Sequence, residues 1–194
     1  MTTDHLKSDI AFSSRLAGNN LEFHSTWGLF SPKSIDEGTI LLINQLDVAA
    51  DAVALDLGCG YGPLGLAIAK LAPHGQVHLV DKDFVAIEFT RKNIELNRIS
   101  NAQAYLSNGF DQIPASQMFD VIASNIPAKI GSELLNIFLR DAYDHLQPDG
   151  KLYIVTISGL KEYMKRNLTD VFGNYKKLKQ SKTYTAAVAA RTRT

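Results

Sequence analysis

DLGCGYGPLG, residues 56–65, follows the short apolar run VAL and runs directly into LAIAKLA. A buried strand that passes through three closely spaced glycines into a helix describes the strand–loop–helix start of an α/β unit. Gly58, Gly60 and Gly62 let the backbone turn tightly and approach a ligand at the helix amino end. Two nucleotide classes use such a turn. A dinucleotide site wants G-x-G-x-x-G because pyrophosphate rests on the helix start. Counted from Gly58, the sixth position is Pro63, and the strand ends in the anionic Asp56, a poor neighbour for pyrophosphate. An acid there suits a ligand that carries an ammonium group and no phosphate, which describes S-adenosylmethionine (SAM). Cys59 lies inside the same loop.

The segments on either side repeat the alternation. QVHLVD (76–81) predicts a second strand, and DFVAIEFTRKNIELN (83–97) an amphipathic helix. AQAYLS (102–107), FDVIAS (119–124) and KLYIVTI (151–157) are further strands. SELLNIFLRDAYDHL (132–146) is a helix that places Leu135, Phe138, Leu139, Ala142 and Leu146 on one face, ended by Pro148-Asp149-Gly150. A last helix, LKEYMKRNLTDVFG, stops at Gly173, and YKKLKQSKTYTAAVAA (175–190) offers a closing pair of strands. The sum is an α/β fold: a mostly parallel sheet with helices on both faces. Upstream, LEFHSTWGLFSP (21–32) reads as extended pieces broken at Gly28. SIDEGTILLINQL begins a helix in which Ser34 and Glu37 have the spacing of a capping box.

Asp81 ends the second strand, 23 residues after Gly58, where a carboxylate can accept hydrogen bonds from both hydroxyls of a ribose. Lys82 follows it. At the end of the third strand, Asn108 and Gly109 in SNGF can meet the amino edge of an adenine. The fourth strand ends in SNIPAKIG (124–131). Pro127 fixes its own φ and holds Ile126 extended, so the amide of Asn125 is presented at a strand's carboxyl end, where open α/β sheets bind ligands.

These segments resemble the class I SAM-dependent methyltransferases of the small methyltransferase domain family, which includes ribosomal RNA guanine-N2 methyltransferases. The resemblance runs through FHSTWGLFSPKSIDEGTILLI, DLGCGYGPLGLAIA, LVDKDFVAIEFTRKNIELN, SNIPAKIGSELL and the Tyr-containing closing strand, most of the chain from about residue 20. It implies a doubly wound seven-stranded sheet of order 3-2-1-4-5-7-6 with strand 7 antiparallel. It also implies SAM as cofactor, held by Asp56, Gly58, Cys59, Gly60, Gly62, Asp81, Lys82, Asn108, Gly109 and Asn125. Methylation of a planar nitrogen falls to Asn125, Ile126 and Pro127, because the Asn oxygen and the next carbonyl can accept the two N–H bonds of an exocyclic amine. The acceptor implied is guanine N2, or adenine N6, in RNA. The pattern's fourth position departs: Ala128 replaces the aromatic that stacks on the target ring. Trp27 and Phe30 are the candidates to stack instead, with Ala128 and Lys129 lining the substrate side.

The remaining alternatives belong to other classes. A glutamine-N5 protein methyltransferase uses the same Asn-x-Pro logic but keeps the aromatic. A small-molecule methyltransferase suits the acidic body, and a non-catalytic RNA-binding subunit of the same fold suits Ala128. Cytosine-C5 transfer fits less well, since its nucleophilic Cys must lie near the substrate and Cys59 lies in the cofactor loop. His74 and His78 are separated by Gly75 and form no metal site, so no metal is expected.

Composition agrees. The 194 residues suffice for one domain, taken as 1–194 with residues 1–48 as an amino-terminal lid, hairpin and capped helix. The additional amino-terminal domain of the larger ribosomal members is not expected within these 194 residues. A single cysteine excludes an internal disulfide, and neither a signal peptide nor a membrane span is seen, so the expected home is the cytoplasm. The net charge of zero hides an asymmetry. Residues 1–150 carry 10 Lys+Arg against 18 Asp+Glu, and residues 151–194 carry 10 against 2. The basic carboxyl-terminal segment is a candidate RNA-phosphate face.

Overall fold

Apolar runs too short for helices become buried parallel strands, and the helical repeats between them cover both faces. The computed structural model describes residues 9–192. The elements are β1 (Ile10–Leu16), β2 (Asn19–Ser25), α1 (Glu37–Ile43), β3 (Val53–Leu57), α2 (Pro63–Leu71), β4 (Gln76–Asp81), α3 (Phe84–Leu96) and β5 (Ala102–Leu106). There follow β6 (Phe119–Asn125), α4 (Ser132–His145), β7 (Leu146–Ile157), α5 (Lys161–Phe172), β8 (Lys176–Gln180) and β9 (Tyr184–Ala190).

Seven strands form one sheet in the order β5-β4-β3-β6-β7-β9-β8. β3, β4, β5, β6 and β7 pair in parallel, and β9 runs antiparallel between β7 and β8. Numbering the sheet strands along the chain gives 3-2-1-4-5-7-6, the order the family resemblance implies. The chain lays strands outward from β3 to β5, then returns to lay β6 on the other side of β3. That reversal is the switch point of the sheet.

One face of the sheet packs against α1, α2, α3 and the β1–β2 hairpin through Leu21, Phe23, Leu42, Leu66 and Ile87. The other packs against α4 and α5 through Leu135, Leu139, Met164 and Leu168. In α4, Leu135, Leu139 and Ala142 repeat at helical spacing and are fully covered. Each leucine so buried contributes about 1.5–3 kcal/mol.

Three local expectations change. The hairpin expected within residues 1–48 begins earlier than the 21–32 pieces, in the polar start: β1 pairs with β2 over its whole length, turned by Ala17 and Gly18, both at positive φ. Ser34 and Glu37 do not form a capping box, because Asp36 is the N-cap of α1 and accepts from the Thr39 amide at 3.1 Å. The Ser34 carbonyl is instead engaged by Tyr61 Oη and Ser31 Oγ. Finally, Pro148-Asp149-Gly150 does not separate α4 from its strand. β7 begins at Leu146, paired with Phe119, and the register shifts before Val121 meets Lys151.

Candidate functional site

The glycine loop lies at the carboxyl end of β3. Its opening turn is tied to the neighbouring strand, with the amides of Gly58 and Cys59 both donating to the Val80 carbonyl, at 2.9 and 3.0 Å. Gly58 and Gly60 have φ of 77° and 57°, and a Cβ on either would meet no atom within 4 Å. Left-handed backbone next to open space is a cradle that only glycine forms without strain. Gly62 caps α2, and Pro63 takes the first helical position, where its missing N–H costs nothing. Cys59 is buried, and burial pushes its thiol well up, so it is no nucleophile.

The two acids differ in kind. Asp81 is partly open at the end of β4. Its Oδ2 accepts from the Gly60 amide at 2.9 Å and its Oδ1 from the Asp83 amide at 3.0 Å. Asp83, not Asp81, caps α3 by accepting from Val85. Each Asp81 oxygen thus keeps acceptor capacity beyond these two bonds. Asp56 is 1% exposed and accepts from the Gly65 amide at 2.7 Å inside the first turn of α2. Burial, opposed by that hydrogen bond and reinforced by the charge of Asp81, pushes its pKa up to about 7. Asp56 therefore ties the end of β3 to the first turn of α2, and it is too covered to meet the ammonium group expected of it from the sequence. Lys82, Asn108 and Gly109 are exposed on the rim, where the Asn108 amide donates to Asp111 at 3.3 Å.

β6 brings the second half of the site. Asp56 pairs with Ala123, so Asn125 extends two residues beyond it at the same end of the sheet. Asp81 on β4 and Asn125 on β6 flank β3, roughly 10 Å apart by strand spacing. The Ile126 amide is bound to the Val155 carbonyl at 2.9 Å, its side chain is buried, and the Ser124 hydroxyl anchors to Leu57 O at 2.7 Å. Pro127, Ala128 and Lys129 then rise exposed into the turn before α4. Asn125 Nδ2 donates to Asp36 Oδ2 at 2.9 Å and to Thr39 Oγ1 at 3.0 Å. Asp36 Oδ1 accepts from Tyr184 Oη at 2.7 Å. Burial, together with that hydrogen bond and the carboxylate charge, pushes Tyr184 up to about 12, which keeps it a proton donor.

The segment carrying the candidate stacking residues is fastened to the same loop. Tyr61, between Gly60 and Gly62, donates from its hydroxyl toward the carbonyls of Ser31 and Ser34, at 3.0 and 3.2 Å. Asn93 in α3 is fully buried and bonds Tyr61 O at 2.8 Å and His24 O at 2.9 Å, and Thr90 Oγ1 donates to Gly60 O at 2.7 Å. Between the two aromatics, Leu29 is buried, while Trp27 is 49% and Phe30 66% exposed. The Lys33 ammonium lies 4.6 Å from the Trp27 ring centre, so one face of that ring is taken. Phe30 is the freer of the two.

Sequence reasoning missed Asp36, Thr39, Tyr61, Asn93 and Tyr184. A buried Asn and Thr on an otherwise apolar helix face were the available signal for α3; nothing local pointed to Tyr184. A separate cleft of about 350 Å³, lined by Asp47, Lys151, Tyr153 and Lys176, opens at the opposite end of β7 and shares none of these groups. Among the described residues, no cluster of three His, Cys, Asp or Glu could hold a metal ion.

Comparison with known proteins gives the following. Residues 20–187 match the family model described as Methyltransferase small domain. A Bacillus subtilis (strain 168) protein, YbxB, described as uncharacterized, is 34% identical over 145 residues, 74% of this chain and 72% of that one. A ribosomal RNA small subunit methyltransferase C from Haemophilus influenzae (strain PittGG) is 35% identical over 140 residues, 70% of this chain and 42% of that one. Among solved structures, a T. thermophilus 16S rRNA N2 methyltransferase in complex with AdoMet and guanosine superposes with a TM-score of 0.85 at 29% identity. That match covers 94% of this chain and 50% of the other. The chain thus spans about half the length of the ribosomal RNA methyltransferases it matches.

Proposed function

The chain belongs to the methyltransferase small domain family, and we propose that it transfers a methyl group from SAM to an exocyclic amine of RNA, guanine N2 ahead of adenine N6. The observation that carries the reading is the position of Asn125-Ile126-Pro127, one strand from the glycine loop at the switch point of the sheet. Its support is the relative solved in complex with AdoMet and guanosine, a 16S rRNA N2 methyltransferase.

The residues fit the cofactor. Gly58 and Gly60 leave a cradle open, Asp81 offers two acceptors for a ribose, and Asp56 ties β3 to the first turn of α2. When bound, SAM supplies an electrophilic sulfonium methyl. The task left to the chain is to aim a poor nucleophile, since the lone pair of a base amine is delocalised into its ring. Asn125 Oδ1 and the Ile126 carbonyl accept hydrogen bonds from the two amine N–H groups, and Pro127 holds both acceptors still. Phe30, reinforced by Trp27, takes the stacking role that Ala128 cannot. The hairpin and α1, within residues 1–48 of a single unit 1–194, form a lid over that side.

The RNA reading also draws on the basic carboxyl-terminal segment. Lys165, Arg166, Lys176, Lys177 and Lys179 are exposed along α5 and the edge strand β8. Lysines on an edge strand also block edge-to-edge pairing, so their salt response decides between the two roles. Among the described residues no helix is long and apolar enough to cross a membrane, and the lone thiol of Cys59 agrees with a cytoplasmic protein.

The test is tritiated-methyl transfer from SAM to 16S ribosomal RNA, with protein and metabolite fractions in parallel. Label in N2-methylguanosine, reduced about 10²–10³-fold by Asn125→Ala at saturating SAM, is the expected result. Label confined to the protein or metabolite fraction would refute the RNA reading.

A further inference from the structure

We propose that Asp36 is a positioning residue that decides which end of the Asn125 carboxamide faces the reaction centre. Its consequence for turnover rests on the amine-methylation reading above; its structural part does not.

A carboxamide presents an acceptor at one end and two donors at the other, and a half-turn about its last bond exchanges them with almost no change of shape. Only the oxygen end can receive an amine N–H. Of the two groups that contact the Asn125 nitrogen, Thr39 Oγ1 does not discriminate, because a hydroxyl either donates or accepts. Asp36 does. A carboxylate only accepts, so the reversed amide would place oxygen against oxygen at the 2.9 Å now spanned by a hydrogen bond. With the nitrogen bound to Asp36, Oδ1 is turned away from it.

Asp36 is itself held from two more directions. As N-cap of α1 its Oδ2 accepts from the Thr39 amide, and its Oδ1 accepts from Tyr184 on β9. Tyr184 stands opposite Ile157 of β7, two positions beyond Val155, the partner of Asn125. Its ring lies so close to the start of α1 that a Cβ on Gly38 would come within 2.7 Å of it and 2.8 Å of Asp36 Oδ2. Three elements, α1, β6 and β9, thus converge on one carboxylate, more than capping a seven-residue helix requires.

Asp36→Ser separates capping from orientation. Serine caps as well as aspartate, but it is shorter, neutral, and able to donate as well as accept. The first readout needs no acceptor: the side-chain NH₂ signals of protein labelled with ¹⁵N-asparagine, with the Asn125 pair identified by its loss in Asn125→Ala. In the folded wild type that pair carries the downfield shift of a carboxylate-bound amide, and Asp36→Ser abolishes the shift. The second readout is turnover on 16S ribosomal RNA. Asp36→Ser lowers kcat about tenfold, as the fraction of correctly directed amide falls, with the SAM Kd within about twofold. In the Asn125→Asp background, whose two oxygens are equivalent and either of which would meet the Asp36 carboxylate, the same substitution removes an oxygen–oxygen contact and carries no penalty. An unmoved Asn125 pair, or an equal penalty in both backgrounds, overturns the proposal. If the serine variant does not fold, Asp36→Thr, which also caps, takes its place. A moved Asn125 pair without methyl transfer to RNA refutes the proposed function and leaves the role of Asp36 standing.

Discussion

Replacing Asp81 by alanine removes a carboxylate with one observed task, holding two amides, and one proposed task, binding a ribose. In the free protein, Asp81 holds the Gly60 and Asp83 amides at 2.9 and 3.0 Å. Both amides lie in partly open surroundings where water can replace the lost partner, so the stability cost is about 1 kcal/mol. The larger effect is on the cofactor. If a ribose hydroxyl donates to this carboxylate, its loss costs about 1.5–3 kcal/mol, the range for hydrogen bonds to a charged group. That corresponds to roughly 10–150-fold in Kd. The loosened Gly60 turn adds to the loss, because the cradle is no longer held before the ligand arrives. Calorimetric titration of SAM into wild type, Asp81→Ala and Asp81→Asn measures this. Asparagine keeps one acceptor but puts an NH₂ where a second acceptor was, so its affinity falls between the other two. A folded Asp81→Ala variant that binds SAM as tightly as wild type refutes the ribose assignment.

Other expectations follow from the same geometry. The folded pKa of Asp56, about 7, lies above the ordinary carboxylate value near 4, so the folded state binds that proton more tightly. Its contribution to stability is complete at acid pH and is lost as pH rises through about 7. Asp56→Asn should remove this slope from urea midpoints measured between pH 4.5 and 7.5, and parallel curves for the two proteins would refute it. Neutralising Lys176, Lys177 and Lys179 should flatten the salt dependence of RNA binding and leave SAM affinity alone; an unchanged slope would return those lysines to edge protection. Ala128→Phe, on the exposed turn after Pro127, should tighten RNA binding by about 1 kcal/mol. Weaker binding at intact stability would mean that the ring blocks the acceptor instead of stacking on it.

Sequence by itself determined the order and type of the sheet's elements. Strand runs such as VALDL and FDVIASN and the helix repeat at Leu135, Leu139 and Ala142 are local patterns, and Gly173 stops a helix through its own φ of 71°. The glycine loop, Asp81 and the Asn-Ile-Pro step were legible for the same reason: each is a stretch of consecutive residues with one backbone requirement. A hairpin was expected within residues 1–48, but β1 itself could not be located, because its seven residues are half exposed and only pairing with β2 makes them a strand. The choice between Ser34 and Asp36 as cap was also beyond local reading, since either residue can cap. The tertiary structure decided it, because Tyr184, 148 residues away, and Asn125, 89 away, both bind the Asp36 carboxylate. No spacing rule encodes a contact that exists only once β6 and β9 have been laid on either side of β7. Local chemistry thus set what the candidate site contains, and the folded sheet set which way the Asn125 amide faces.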